Sequence, residues 1–438
     1  MKIRTTDNNG GKNLIDFEGW DMKDLSGIAN QSLKDLEKKH PKLLIFPQSL
    51  GQYRDDVEKS PIFHLDENKL TTYNLMGFIG RNATQLTITS RFAKDDKRDY
   101  FLHYMLHKVF AINILDFDQT FDKDNIWDFL LYLFPHFLKK AYAQGLYKAY
   151  KRVAYNDANV RGAIDMNRHI RTNIPFAGKI AYTTREHSYD NSVTQLIKHT
   201  IESIKIHPLG NGIFTSDNEI RDIVGQFNFV TQASYNKNAR QKVVSANLKP
   251  ISHPYFTEYS MLQKICLQIL RQDKLTYGAE EDKIYGLLFD GAWLWEEYLN
   301  TLLKDKGFTH SENKIRKNAR YLLQGEARNL DEWAIYPDFY KENLVLDAKY
   351  KRLIKNDKKN ISRDDKFQII TYMHALKTEK GGFIFPSEKE NCFQKIGTLN
   401  GYGGEIYLFG LKIPQEIATY GSFKEKMAVS EMEFVRNL

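Results

Sequence analysis

Residues 344–350, Leu-Val-Leu-Asp-Ala-Lys-Tyr, alternate in a way that dictates a strand with two different faces: Leu344, Leu346 and Ala348 on one, Val345, Asp347 and Lys349 on the other. Just upstream lies Tyr336-Pro337-Asp338-Phe339-Tyr340, and the intervening Lys341-Glu342-Asn343 has the composition of a hairpin turn. Folding 335–340 back on 344–350 brings Asp338 close to Asp347. Two carboxylates held side by side repel each other, and a hard divalent cation converts that repulsion into attraction. The hairpin therefore constrains both the fold and the chemistry of the chain.

The arrangement suits phosphodiester hydrolysis. Mg²⁺ takes oxygen ligands and keeps several waters, so a few carboxylates can hold it and leave room for a phosphate and an attacking water. Asp338 and Asp347 are the expected metal ligands, with the Ala348 carbonyl as a third oxygen and Lys349 to orient or help deprotonate the water and offset phosphate charge. Taken alone the pattern also fits a solvated hairpin whose surface ion pairs are worth about 0–1 kcal/mol. Its flanks favour the site. Upstream, Leu287 to Leu303 reads as a helix with Leu288, Ala292, Trp295, Leu299 and Leu302 on one stripe, ended by Gly307. Glu296 lies at the rim of that stripe and is the expected further carboxylate, while Glu297 points to solvent. Downstream, a helix over Ile361 to Leu376, opened by Ser362 or Asp364, packs Phe367, Ile370 and Met373 inward. Asp365, Gln368 and Tyr372 share another face of it, and Gln368 and Tyr372 are placed to hold a phosphate or the Lys349 amine.

Glu296, Pro337-Asp338, Asp347-Ala348-Lys349 and Gln368-Ile369-Ile370-Thr371-Tyr372, in this order within one domain-sized window, resemble the PD-(D/E)xK nuclease superfamily. The stretches LWEEYL, YPDF, LVLDAKYK and RDDKFQIITY are similar to the C-terminal domain of the McrC family, and GLYKAYKRVAYNDANVRGAID and DNSVTQLIKHTIESI more loosely to its N-terminal region. The resemblance implies an α/β protein: a mixed α+β N-terminal region followed by a restriction-endonuclease-like domain with a central mixed sheet flanked by helices. It implies catalytic roles for Glu296, Asp338, Asp347, Lys349 and Gln368, Mg²⁺ as cofactor with Mn²⁺ as substitute, and methylated double-stranded DNA as substrate. It further implies an AAA+ GTPase partner of the McrB type that recognises DNA and translocates, while the McrC subunit stimulates its hydrolysis and cuts. Residues 1–65 have no counterpart in the resemblance and read as an extension. Two rivals remain: a self-sufficient nuclease that finds its target through residues 1–250, and a non-catalytic DNA-binding adaptor.

At 438 residues and 42% hydrophobic composition the chain is expected to form two or more domains with sizeable cores. No apolar run approaches the ~20 residues that span a bilayer, and the start MKIRTTDNNGGKN lacks a signal-peptide core, so a cytoplasmic protein with no membrane partner is expected. Only Cys266 and Cys392 occur, too few for a disulfide framework or a four-cysteine cluster. A net charge of +8 fits a polyanion partner. Lys351, Arg352 and Lys355, beside the expected catalytic strand, are the nearest candidates for DNA contact, together with Tyr372. No GxxxxGK[ST] loop is present, so nucleotide hydrolysis is left to a partner.

Along the chain, 71–92 reads as a hairpin about Gly80-Arg81-Asn82, with helices at 98–113 and 124–154, the second bent at Pro135. GKIAYTT is strand-like and precedes a helix over 189–206. Pro250 and Pro254 mark the expected boundary between a region 1–250 that engages partner or DNA and a nuclease domain 255–438 opened by a helix over 255–272. His103 and His107 form an HxxxH string without a third ligand nearby, and two ordinary helix-face histidines are the favoured reading.

Overall fold

The computed structural model describes residues 2–14, 17, 22–40, 43–47, 59–82, 84–93, 99–110, 125–207, 210, 212–215, 217–272, 284–313, 317–323, 333–355, 358–401 and 403–438. The chain divides into two units, one of residues 1–122 and 277–438, the other of residues 123–276. This differs from a boundary at 250–255, and the reason lies in which apolar faces meet. The helix Glu258–Gln272 buries Tyr259, Leu262, Ile265 and Ile269 within the second unit, packed on the helices Asn125–Ala143 and Ser192–Ile206. It does not open the unit that holds residues 277–438.

In that second unit, the helix expected to run to 154 stops at Ala143. Gly145 takes φ +88°, and the alternating Ala149–Asp157 becomes a strand paired antiparallel along its length with Ile180–Ser188. Pro135 sits inside the helix, as expected. Helix Ser192–Ile206 starts at a capping box between Asn191 and Thr194.

The first unit holds two sheets. In chain order its elements are β1 (Lys2–Thr6), β2 (Leu43–Phe46), β3 (Leu75–Arg81), β4 (Thr84–Thr89), α1 (Tyr100–Phe110), β5 (Ile284–Asp290), α2 (Gly291–Leu303), β6 (Thr309–His310), β7 (Phe339–Lys341), β8 (Leu344–Ala348), α3 (Arg363–Leu376), β9 (Lys380–Ser387), β10 (Cys392–Thr398), β11 (Glu405–Lys412) and α4 (Tyr420–Arg436). The five-stranded sheet runs β1-β4-β3-β5-β2, and the six-stranded sheet runs β6-β7-β8-β9-β11-β10. The expected 71–92 hairpin is β3–β4.

Residues 287–290, expected to be helical, belong to β5. Leu287, Leu288 and Phe289 are apolar at successive positions because this strand is covered on both faces, a pattern that periodicity alone does not separate from a buried helix. β5 lies between β3 and β2, so residues 284–290 complete a sheet begun near the N-terminus. Asp290 then caps α2, its carboxylate accepting the Ala292 N–H at 3.0 Å. Gly307, at φ +80°, ends the short turn that follows α2.

A buried polar network ties the two sheets together. The Asp7 carboxylate accepts from Arg91 Nε at 2.8 Å and from the Arg91 N–H at 2.6 Å. The Arg91 guanidinium lies 5.1 Å from the centre of the Tyr350 ring. The Tyr350 hydroxyl meets Ser90 Oγ at 2.6 Å, and Arg352 Nη2 donates to the Arg91 carbonyl at 2.5 Å. Tyr350 follows Lys349 directly, so residues near the N-terminus brace the end of the strand that carries Asp347. Gly291 is needed here: a Cβ would stand 2.9 Å from the Tyr350 ring.

A fragment comprising 277–438 alone is expected not to fold, because β5 loses both sheet neighbours and Tyr350 its anchors. Circular dichroism and thermal melting of the fragment check this, and a cooperative melt with native-like spectra would show that the second sheet stands without residues 1–122.

Candidate active site

β7 and β8 pair antiparallel with Phe339 opposite Leu346, so the next register position sets Asp338 opposite Asp347. Lys341 already pairs with Leu344, which leaves a two-residue turn at Glu342-Asn343. β8 is central, with β7 on one side and parallel β9 on the other. Val345, on the same face as Asp347, packs in a cluster with Ile369, Tyr372 and Met373 of α3 and Phe383 and Phe385 of β9. Asp347 therefore sits beside an apolar layer and is 1% exposed. Burial raises its pKa, with the Lys349 charge acting in the opposite direction.

Asp338 is half-buried. Its Oδ2 accepts the Ala348 N–H at 2.6 Å. Its pKa stands well above the carboxylate range, first because of desolvation, then because of the Glu296 and Asp347 charges, against which Lys349 and the Ala348 N–H act. Glu296 is thus one of the charges that bear on Asp338.

Lys349 Nζ stands 2.8 Å from Asp347 Oδ2 and 3.5 Å from Asp365 Oδ1. It also donates to Gln368 Oε1 at 2.9 Å. Gln368 Nε2 donates to the Tyr372 hydroxyl at 2.7 Å, and that hydroxyl donates to the Tyr336 carbonyl at 3.2 Å. Lys349, Gln368 and Tyr372 form a relay that returns to the segment just before Asp338. Of the two uses open to Gln368 in the sequence, holding the amine is the one found. Burial lowers the Lys349 pKa, but Asp347, Asp338 and Asp365 outweigh it and hold the ammonium above its ordinary value.

α3 opens at Ser362 in a capping box with Asp365. Its inner face differs from the expected one: Met373 is buried, but Phe367 and Ile370 are exposed and Ile369 and Tyr372 pack instead. This rotation lets Asp365 and Gln368 reach Lys349 while Ile369 and Met373 still cover the sheet. Asp365 also meets Lys351 Nζ at 2.5 Å. Burial would raise its pKa, but Lys351, Ser362 and Lys349 outweigh it and bring it to about 2.

Of the expected DNA contacts, Tyr372 is buried with its hydroxyl engaged internally, which makes it a support of Lys349 rather than a surface group. Arg352 pairs with Glu388 at 2.5 Å and remains partly exposed. Lys355 lies on the short strand Ile354–Lys355. Of the basic residues upstream, Arg320 covers the Tyr340 ring at 5.0 Å. His103 and His107 lie on α1, and among the described residues no third metal donor joins them.

Glu297 is not the solvated surface residue expected. Its Oε1 is 3.8 Å from Nε2 of His310, a nearly buried residue that sequence reasoning missed. The only signal was a histidine at the start of an apolar hairpin partner, which by itself reads as core.

Two carboxylates, an adjacent glutamate and one shared lysine suit a hard cation of few protein ligands. Asp347 Oδ2 is buried and has the Lys349 ammonium 2.8 Å away as its ion-pair partner. Among the described residues no group of three acidic, imidazole or thiol side chains is placed to hold a metal ion.

A family model of the McrBC 5-methylcytosine restriction system component matches residues 70–386. The chain belongs to the McrC family. Its backbone overlays a chain of the refined half-complex from the tetradecameric assembly of Thermococcus gammatolerans McrB AAA+ hexamers with bound McrC, at 16% identity and TM-score 0.50, covering 100% of this chain and 99% of that one. At that identity the likeness is one of fold, and it reaches through residues 1–65, which are no appendage to it. The cryo-EM structure of the Thermococcus gammatolerans McrBC complex overlays at 16% identity and TM-score 0.32, covering 69% of this chain and 87% of that chain. No curated protein sequence matches the chain. Among the described residues of this McrC family member, no helix is long and apolar enough to cross a membrane.

Asp338→Asn is expected to raise the melting temperature of the metal-free protein near pH 8. A carboxyl whose folded pKa is raised favours the folded state while protonated and loses that contribution as pH rises through the folded value. The gain should vanish in acid, and added Mg²⁺ should stabilise the wild type but not the variant. A variant that melts lower at pH 8 would contradict the electrostatic reading of the site.

Proposed function

We propose that the chain is the Mg²⁺-dependent endonuclease subunit of a McrBC-like modification-dependent restriction system. In this reading it cuts methylated double-stranded DNA together with an AAA+ GTPase of the McrB type and stimulates that partner's hydrolysis. The observation that carries the reading is the pairing of Asp338 and Asp347 across the hairpin with Lys349 held between Asp347 and Gln368, in a chain of this family. The sheet and its helices are then a PD-(D/E)xK domain.

Asp338, Asp347, Glu296 and the Ala348 carbonyl are the groups that would hold the metal. When bound, Mg²⁺, or Mn²⁺ in its place, supplies Lewis acidity to the scissile phosphate and lowers the pKa of an attacking water. Lys349 keeps its proton and faces the charge that builds on the phosphate oxygens, a stabilising role rather than that of a base. Gln368 accepts from the ammonium, and Tyr372 orients Gln368. Lys351, Arg352 and Lys355 extend positive charge from the site along the DNA backbone, so binding weakens as salt rises. Partner binding falls to the rest of the chain, in keeping with the McrB hexamers named in the related assembly.

The test is cleavage of methylated and unmethylated plasmid in Mg²⁺ and GTP, with and without the McrB-type partner. The wild type should cut the methylated plasmid only with its partner. Asp347→Ala should abolish cutting with its melt retained. Lys349→Ala should slow turnover on the order of 10²-fold without rescue by excess Mg²⁺. Cutting by the chain alone would mean a self-sufficient nuclease. Equal inertness of wild type and Asp347→Ala in an assembled complex would mean an adaptor without chemistry.

A further inference from the structure

Behind the two aspartates lies a pair from two other elements, Glu297 on α2 and His310 on β6. His310 pairs with Phe339 across the β6–β7 ladder and stacks on its ring at 4.8 Å with an interplanar angle of 19°. Its Nδ1 is 2.7 Å from the carbonyl oxygen of Asp338, and its Nε2 is 3.8 Å from Glu297 Oε1. The Ser311 N–H donates to the same Asp338 carbonyl at 3.3 Å. The Asn318 side chain in turn donates to the His310 carbonyl at 2.7 Å. Since a carbonyl oxygen only accepts, Nδ1 must be the donor, and Nε2 faces the Glu297 carboxylate across 3.8 Å, an ion pair when the imidazole carries both protons.

Asp338 needs such a hold. Pro337 before it has no N–H, and the β7 ladder begins only at Phe339. The Asp338 carboxylate accepts the Ala348 N–H, while the neighbouring Asp347 and Glu296 charges push against it. Like charges at this range drive a loosely held side chain outward, so the backbone must resist.

We propose that His310, oriented by Glu297, is a positioning residue that pins the Asp338 main chain and so keeps the Asp338 carboxylate facing Asp347. The adjacent glutamates of α2 then divide the work: Glu296 faces the aspartates and Glu297 the residue that holds one of them. In this role His310 acts through the Asp338 main chain. The consequence for turnover rests on the nuclease reading above, whereas the geometric claim does not.

Two measurements on the full chain separate these claims. The first is hydrogen exchange at the Ala348 amide, which reports whether Asp338 still accepts its N–H, with β11 as internal reference. His310→Ala should speed exchange there at least tenfold and leave β11 unchanged. His310→Asn, whose amide can donate where Nδ1 does, should restore most of the protection. Glu297→Gln, at a partly exposed position that poses little risk to folding, should shift exchange in the same direction as His310→Ala. The second is single-turnover cleavage with the partner. His310→Ala should lower the rate about 10- to 100-fold, as for a small misplacement of a reacting group, with DNA affinity unchanged and His310→Asn largely recovered.

Wild-type exchange at Ala348 in both His310→Ala and Glu297→Gln would overturn the proposal whether or not the chain cuts DNA. So would His310→Asn no better protected than His310→Ala. Altered exchange in a protein whose wild type never cuts would uphold the positioning claim and count against the nuclease reading alone.

Discussion

The site is organised around an electrostatic conflict: Asp338 and Asp347 stand opposite each other in a largely dehydrated setting, with a third acid, Glu296, bearing on Asp338. Left unopposed, such a cluster would protonate or splay apart. Around it are the groups that hold it in place: the Ala348 N–H on Asp338, the Lys349 ammonium on Asp347, and Gln368, Tyr372 and Asp365 fixing that ammonium. The capping box of α3 serves the same end, since Asp365 both closes the helix and meets Lys349 and Lys351. A divalent cation placed among these acids would remove the conflict.

The second theme is that the strand bearing Asp347 is braced from far away in sequence. Tyr350 and Arg352 reach Ser90 and Arg91, and Arg91 is held by Asp7. β5 enters the N-terminal sheet before the chain turns into α2, the helix of Glu296 and Glu297. The candidate site and residues 1–122 consequently belong to one compact unit, with residues 123–276 forming another. A change in the N-terminal sheet has a physical route to the Lys349 strand through the Asp7–Arg91–Tyr350 chain of contacts.

Much of this was legible in the sequence because it depends on period-two alternation and short turns, which are local. The β7–β8 hairpin, the common face of Asp347 and Lys349, the opening of α3 at Ser362 and the joint orientation of Asp365, Gln368 and Tyr372 all follow from spacing alone. The β3–β4 hairpin was equally local. What failed did so where two structures share a pattern or where the partner is remote. The apolar run Leu287–Phe289 suits a buried strand as well as a helix, and only its pairing with β3 and β2 decides between them. Phe367 and Ile370 form a plausible inner stripe, yet α3 is rotated by the polar demands of Lys349.

The sequence by itself thus determined the hairpin, the pair of aspartates with their lysine, and the family, because residue types at fixed short spacings carry that information. Tertiary structure alone decided that Glu297 faces His310, that His310 holds the Asp338 carbonyl, and that residues 1–122 belong in one unit with the sheet of Asp338 and Asp347. Each of these is a contact between residues distant along the chain, and nothing in local periodicity encodes which remote surface a side chain will meet.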